Sequence, residues 1–493
     1  MASAQTSPAP TFSHGTRLFV SVLAVSYACA FASIWIQAGG LMGPSGILPA
    51  HQLFFAAREQ LGREAWYDYP SLCWFLGDGA GLDCLCAAGL LLSVLLFLRI
   101  APAVCLLLMW ACYLSLATAG QDFFNFQWDA LILESTLVAV CVVPWTLRRT
   151  TVPYNPPKLG RYLIWWLLFR LMFLSGAVKL RSGDPTWRHL TALTFHYQTQ
   201  PLPTPVAWYA HQLPHVAQVA CCAVLLLIEL AAPFGLLAPR RIRHGAVLSL
   251  IGLQLLIALT GNYAFFNLLT IGLCLAALDD DWWRGIHWGV EPVPAEVETP
   301  RRRLRLAAVR WFAAVSVGIT FFEVAADLSP GAARSPLVRF LIPLVDPVRS
   351  FNVYGLFQVM TVERPELIFE GSDDGREWKE YTLPFKPGDP SVRPKWVAPY
   401  QPRLDWQLWF AALGSADANP WVSTVCEKLL RGNAAVLRLF ARNPFPDHPP
   451  RYVRVVRYRY EFTDSAERAR TGNWWRRTPL DFYISPVTLP AAP

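Results

Sequence analysis

Glu134, Arg170 and Glu229 stand inside long apolar runs of the chain. An ionised side chain there costs roughly 2.5–3.5 kcal/mol to insert into a bilayer, so each needs a partner or a task. Asp129, Lys179, Asp184 and His196 stand at or just beyond the ends of such runs. A lysine in that place ordinarily carries its ammonium to the headgroups; desolvated, with its proton loosened, it becomes a candidate base. Arg170, in mid-run, reads either as pairing with a carboxylate across a helix bundle and setting helix register, or as lining a polar substrate cavity. His196 reads as a hydrogen-bonded interfacial residue or, with Lys179 and Asp184, as part of a polar pocket. Asp129, Arg170, Lys179, Asp184 and His196 form the candidate polar membrane-exit site.

Other chemistries lack their motifs. The chain has no Cys-x-x-Cys pair and no His/Cys/carboxylate set at metal-ligand spacing, so neither a zinc site nor a thioredoxin-like site follows from local sequence. It also lacks a Gly-x-Ser-x-Gly elbow, a P-loop and a Gly-x-Gly-x-x-Gly turn, the marks of acyl transfer and of nucleotide binding. No catalytic residue, metal or cofactor is therefore assigned. The net charge of +8 does not point to nucleic acid, because the arginines cluster in short loops beside apolar blocks.

The elements that must position these residues are membrane helices. Hydrophobic residues make up 54% of the 493 and charged residues 16%, against about 25% charged in a soluble domain. Blocks at 17–36, 82–98, 101–119, 130–147, 162–178, 216–237, 245–260, 264–278 and 307–326 approach the ~20 residues a helix needs to cross the hydrocarbon, which predicts about nine transmembrane helices. Arg99, the Arg148–Arg161 loop, Arg240-Arg241-Ile242-Arg243 and Arg301–Arg305 fall in even-numbered connections, whereas Gly120–Asp129 and Gly261–Tyr263 carry no Lys or Arg. The positive-inside rule then places the N-terminus in the cytoplasm and the C-terminus outside it. Lys179, Arg181 and Arg188, in the fifth connection, run against this count.

Residues 1–330 read as the membrane domain and 331–493 as a compact β-rich, sandwich-like domain with helical insertions. Glu366–Glu370 and Lys379–Leu383 flank a turn with Asp374-Gly375, and Arg451–Tyr460 alternates polar with apolar residues, all strand patterns. Leu404–Leu413 and Trp421–Phe440 read as helices.

Three segments resemble the lipase maturation factor family. The first is Asn125-Phe126-Gln127-Trp128-Asp129 with the Leu-Ile-Leu-Glu that follows. The second, Arg170–Tyr209, holds Gly183-Asp184-Pro185-Thr186-Trp187 and the stretch Tyr197–Pro205. The third, Asn352–Leu413, holds Asn352-Val353-Tyr354-Gly355-Leu356-Phe357, Lys386-Pro387-Gly388-Asp389-Pro390 and Arg403–Ala412. The resemblance implies a multi-pass endoplasmic reticulum membrane protein whose lumenal C-terminal domain engages secreted lipases and helps them fold and assemble. The Ala- and Arg-rich loops and the missing Asn-x-Ser/Thr sequons fit a bacterial cytoplasmic membrane as well. Aromatic and arginine anchors carry most binding energy at interfaces, so Trp396, Tyr400, Arg403, Asp405, Trp406, Trp474 and Trp475 are the candidate client-binding residues; the other reading of the tryptophans is domain core. A shorter likeness, Gly176-Ala177-Val178-Lys179-Leu180, is similar to an element of vitamin K-dependent carboxylases and implies the alternative of a membrane enzyme using Lys179 as base.

Overall fold

The computed structural model describes residues 10–294 and 298–490. Each of the nine expected blocks is a helix: α1 (Ser13–Leu41), α2 (Ala80–Phe97), α3 (Pro102–Ala119), α4 (Gln127–Val142), α5 (Lys158–Arg181), α6 (His215–Leu237, 3₁₀ from Ala232), α7 (Arg240–Thr260), α8 (Phe266–Leu275) and α9 (Pro300–Leu328). Seven of them are long and apolar enough to cross a membrane. The 16 residues of α4 and the 10 of α8 are not, since at 1.5 Å per residue they reach about 24 and about 15 Å. The shortfall has local causes. Val143 turns extended before Pro144, which ends α4. The stretch before α8 is unwound because Gly261 bridges to Pro203 and the Asn262 N–H donates to the Leu202 carbonyl.

The helices pack in neighbouring pairs, with α1 against α2 and α8, α4 against α5, and α5 against both α6 and α9. Glycines set the closest approaches: a Cβ on Gly89 would lie 2.4 Å from the Phe31 ring, and one on Gly176 would lie 3.0 Å from Glu229 Cβ. Outward faces stay apolar. Leu304, Trp311, Val317 and Phe321 along α9 are exposed, as suits a helix whose solvent is lipid.

The C-terminal part holds one antiparallel sheet in the order β2-β1-β3-β4, from β1 (Arg364–Ser372), β2 (Lys379–Glu380), β3 (Tyr452–Phe462) and β4 (Trp475–Val487). It is not a sandwich among the described residues. Helices α10 (Arg403–Ala412) and α11 (Trp421–Leu430) pack on β1 and β3 in place of a second sheet. Their Leu404, Leu408, Val422 and Val425 join Leu367, Phe369, Val453 and Val455 in one buried cluster. The strand expected over Lys379–Leu383 shortens to two paired residues, and β4 is a strand that residue patterning did not disclose.

That cluster continues without a break into the helices of the bundle. The C-terminal part seats on one end only, touching the first, third, fifth and seventh connections through Ser45, Phe123, Gln198 and Asn262. Buried residues on both sides of residue 330 belong to one cluster.

Arg403, wholly buried, reaches across this junction to Asp129 with Nη1–Oδ2 of 3.0 Å and Nη2–Oδ1 of 2.8 Å. Breaking one side of such a pair leaves a buried charge and costs roughly 3–5 kcal/mol. Arg403→Met is expected to lower the thermal stability of the detergent-solubilised chain by that order. Arg403→Met with Asp129→Leu should be less damaging than the single change. A single variant that melts like the parent would show that the pair does not hold the two parts together.

Candidate functional site

The residues with chemistry lie along this junction. The Asp129 carboxylate, at the start of α4, also accepts from the Tyr113 hydroxyl at 2.5 Å, while the Arg403 guanidinium stacks on Phe124 at 3.6 Å and donates to the Phe123 carbonyl at 2.6 Å. One turn further along α4, Glu134 meets Arg170 of α5. The Tyr354 hydroxyl donates to Glu134 Oε2 at 2.7 Å, and Arg170 Nη1 donates to the Asn352 carbonyl at 2.7 Å. Arg170 thus pairs with a carboxylate across the bundle, as one of its two expected readings required, and Asn352-Val353-Tyr354 closes the pair from the C-terminal side.

Lys179 does not snorkel. It is buried on α5, and its Nζ donates to Glu229 Oε1 and Oε2 at 2.9 and 2.8 Å and to the Ser175 carbonyl at 3.0 Å. Three acceptors match the three protons of an ammonium, an arrangement that holds a cation and leaves no lone pair for a base. Arg181 likewise pairs with Asp327 at 2.9 Å. Two of the three cations that ran against the loop count are therefore balanced by carboxylates.

Asp184 caps the short helix Pro185–Arg188 by accepting from Thr186 N at 2.7 Å, and it also accepts from Met360 N at 2.6 Å. Burial opposes its charge, but these N–H donors outweigh that and hold its carboxyl below the usual range. His196 is pushed down to about 4 by burial and by the Lys179 charge, so it is neutral near pH 7. The Tyr263 hydroxyl donates to Gln200 Oε1 at 2.8 Å and lies 3.1 Å from His196 Nε2, which makes Nε2 the protonated nitrogen. Phe357 packs edge-on to the imidazole at 4.6 Å, and its carbonyl accepts from Trp187 Nε1 at 2.9 Å.

The five membrane-exit residues are thus distributed over separate pairs and caps, three of which are completed directly by the C-terminal part. Other residues of the junction were not singled out in the sequence. Asn262 Oδ1 accepts from Val397 N and Ala398 N at 2.8 and 3.0 Å, and its Nδ2 donates to the Lys395 carbonyl at 2.9 Å. Arg364, wholly buried, donates to the carbonyls of Gln198, Gln200 and Pro201 and pairs with Glu366, which also holds Lys386 at 2.9 Å. Trp409 Nε1 donates to the Thr199 carbonyl at 2.8 Å. A sequence signal existed for Arg364: it and Glu366 share one face at the start of β1, a strand whose two faces are both buried.

Every family-like motif quoted above contributes to this junction or to the C-terminal core behind it. The model of the lipase maturation factor transmembrane domain matches residues 15–285, and that of the lipase maturation factor C-terminal domain matches residues 350–485. The chain belongs to the lipase maturation factor family. It is 35% identical to lipase maturation factor 2 of Gallus gallus over an alignment 581 positions long, covering 96% of this chain and 81% of the relative. Lipase maturation factor 2 of Homo sapiens is also 35% identical, with 96% and 82% covered. Lipase maturation factor 1 of Mus musculus is 33% identical over 508 residues, with 96% and 87% covered. No solved structure matches the chain. Family membership and its apolar helices make this a multi-pass membrane protein.

Of the seven candidate client-binding residues, Arg403, Asp405, Trp406, Trp474 and Trp475 are buried. Trp406 packs against Trp128 at 4.7 Å and Trp475 against Phe462 at 4.3 Å. Asp405 accepts from Phe385 N and Lys386 N at 2.9 and 2.8 Å, while burial pushes its carboxyl up to about 6. These five pack inside the fold in this conformation. Trp396 is exposed and Tyr400 partly so.

If Lys179 is a structural cation, Lys179→Met or Glu229→Leu alone leaves a buried charge and is expected to lower the amount of folded protein in the membrane. The double variant should recover abundance and maturation activity together. A double variant that is abundant but inactive would instead assign chemistry to Lys179.

Proposed function

We propose that the chain is a membrane-anchored maturation factor for secreted proteins, with a lipase as the client class, and that the C-terminal unit engages the client. The relatives' names support the client class. The C-terminal unit supports the site of engagement by its exposed apolar side chains: Val359, Val362, Trp396, Phe410, Leu413, Leu480 and Phe482 stand out from it, and such groups on a folded surface mark interaction sites. The observation that carries the reading is where three of them meet. A cleft of about 620 Å³ is lined by Val362, Leu413 and Leu480 with Glu363, Arg457 and Asp481, beside β4, a 13-residue strand at the free edge of the sheet. An unpaired edge beside apolar sockets suits an extended segment of an incompletely folded protein.

The C-terminal unit lies on the extracytoplasmic side in this reading, because it seats on the bundle end opposite the arginine-rich loops. The membrane is that of the endoplasmic reticulum or, in a bacterial cell, the cytoplasmic membrane. Binding and release require no covalent chemistry. The alternative of a membrane enzyme with Lys179 as base meets the closed Lys179–Glu229 pair.

Leu480→Asp, Phe482→Asp and Trp396→Asp are expected to reduce secreted client activity several-fold while leaving the amount of the factor in the membrane unchanged. Normal client activity in all three would remove the C-terminal surface from the function. A reporter after Pro493 should lie outside the cytoplasm and one within Arg301–Arg305 inside it; both on one side would overturn the topology.

A further inference from the structure

The opposite end of the bundle carries an arrangement that client engagement does not use. Arg17 near the start of α1, Arg99 in the turn between α2 and α3, and Arg149 after α4 come together there. Arg17 Nη2 donates to the Thr151 carbonyl at 3.3 Å, Thr150 N donates to the Arg99 carbonyl at 2.9 Å, and Ile100 bridges to Arg149. Arg17, Arg99, Thr150 and Tyr154 line one narrow cleft. Among the described residues no carboxylate forms an ion pair with Arg17, Arg99 or Arg149, whereas Arg240, Arg243 and Arg284 of the same bundle end hold Asp279 or Asp281 at 2.6 to 3.1 Å. Burial, then the neighbouring Arg17 and Arg149, draw the Arg99 guanidinium down from its usual value. Arg17 Nε and Thr150 Oγ1 are buried and without hydrogen-bond partners. The three guanidinium groups thus lack a carboxylate at ion-pair distance among the described residues, with Glu291 acting on Arg99 only from farther off, and polar groups are left to satisfy.

Next to it lies an apolar groove of about 510 Å³ between α3, α4 and α9, lined by Val104, Leu107, Val140, Leu147, Val309 and Phe312 among others. The two are contiguous: Pro102 and Pro144 line the arginine cleft, and their chain neighbours Ala103 and Trp145 line the groove. Val104, Leu107, Leu147 and Trp311 are exposed on its walls, so it opens to the hydrocarbon. A phosphate beside guanidinium groups and an alkyl chain beside aliphatic walls coexist in one class of molecule.

We propose that this leaflet site binds an anionic phospholipid, its phosphate on Arg17, Arg99 and Arg149 and one acyl chain in the groove between α3, α4 and α9. The lipid then fills the gap between α9 and the rest of the bundle and discharges the arginine cluster.

The test is native mass spectrometry of the full detergent-solubilised chain with phosphatidylglycerol or phosphatidylcholine. Phosphatidylglycerol is expected to stay bound under conditions that strip phosphatidylcholine. Arg17→Gln, Arg99→Gln and Arg149→Gln should each weaken it by about fivefold, the ~1 kcal/mol a basic residue contributes near an anionic lipid surface. Leu107→Trp, which fills the groove, should weaken both lipids. Because a variant can fail by misfolding, the unaltered chain is also exposed to phosphatidylglycerol bearing a photoreactive acyl chain, which should label peptides 137–147 and 304–312. Equal retention of the two lipids, or label confined to other helices, would overturn the proposal. So would glycerol phosphate competing as strongly as short-chain phosphatidylglycerol, since that outcome identifies a free-phosphate site.

Discussion

A guanidinium wholly removed from water needs partners for its charge, and at Arg403 they come from the third connection, far earlier in the chain, while its Nε is left without one. Asp129 receives both terminal nitrogens, the Phe123 carbonyl receives one of them again, and Phe124 lies flat beneath the charge. Asp129 also has the Tyr113 hydroxyl within the bundle, but its ion pair forms only when the C-terminal unit docks on the third connection. Gln37 of α1 accepts from the Arg403 backbone N–H at 2.8 Å, so the same residue also ties down the first helix. Removing a charge from water is costly whatever it meets, so such a contact is better understood as a specificity device than as a source of stability. It admits one seating of the two parts, and the pairs at Glu134 and Arg364 follow the same logic.

The two ends of the bundle differ accordingly. At one end, polar groups of the connections are consumed by the C-terminal unit: Asn262, Gln198, Gln200 and Asp184 all bond to its backbone or side chains. At the other, Arg17, Arg99 and Arg149 face outward without carboxylates among the described residues. One end is covered by the C-terminal unit, and the other is the end proposed to hold a lipid phosphate.

The burial of most of the aromatic anchors has a physical explanation. Tryptophans near the end of a β-rich segment satisfy two demands equally well, a large apolar area for a core and a large apolar area for an interface. Composition does not separate them. Trp475 faces inward because β4 pairs with β3 at Phe462, a register that a lone run of residues 475–487 does not announce. That run is broken by Pro479 and Pro486 and bent by irregular pairing, which is also why it escaped notice as a strand. The exposed surface falls instead on Leu480 and Phe482 of that same strand.

All nine apolar blocks, the change of periodicity after residue 350 and the family motifs were legible from the residues alone. Hydrophobic length and alternation are local properties that the bilayer and the sheet impose directly. The pairing of Arg170 with a carboxylate was legible as one of two readings, because an arginine in mid-membrane demands either a partner or a polar cavity. Which carboxylate, and that Lys179 meets Glu229 rather than headgroups, was settled by helix packing at Gly176, where the missing side chain lets α5 and α6 approach. The single sheet backed by helices and the buried cluster shared by the bundle and the C-terminal unit depend on contacts between segments distant in the chain, whereas the shortness of α4 and α8 follows from Pro144 and from the bridge of Gly261 to Pro203. No window of sequence contains both partners of Asp129–Arg403, so the union of bundle and C-terminal unit was decided only in the tertiary structure.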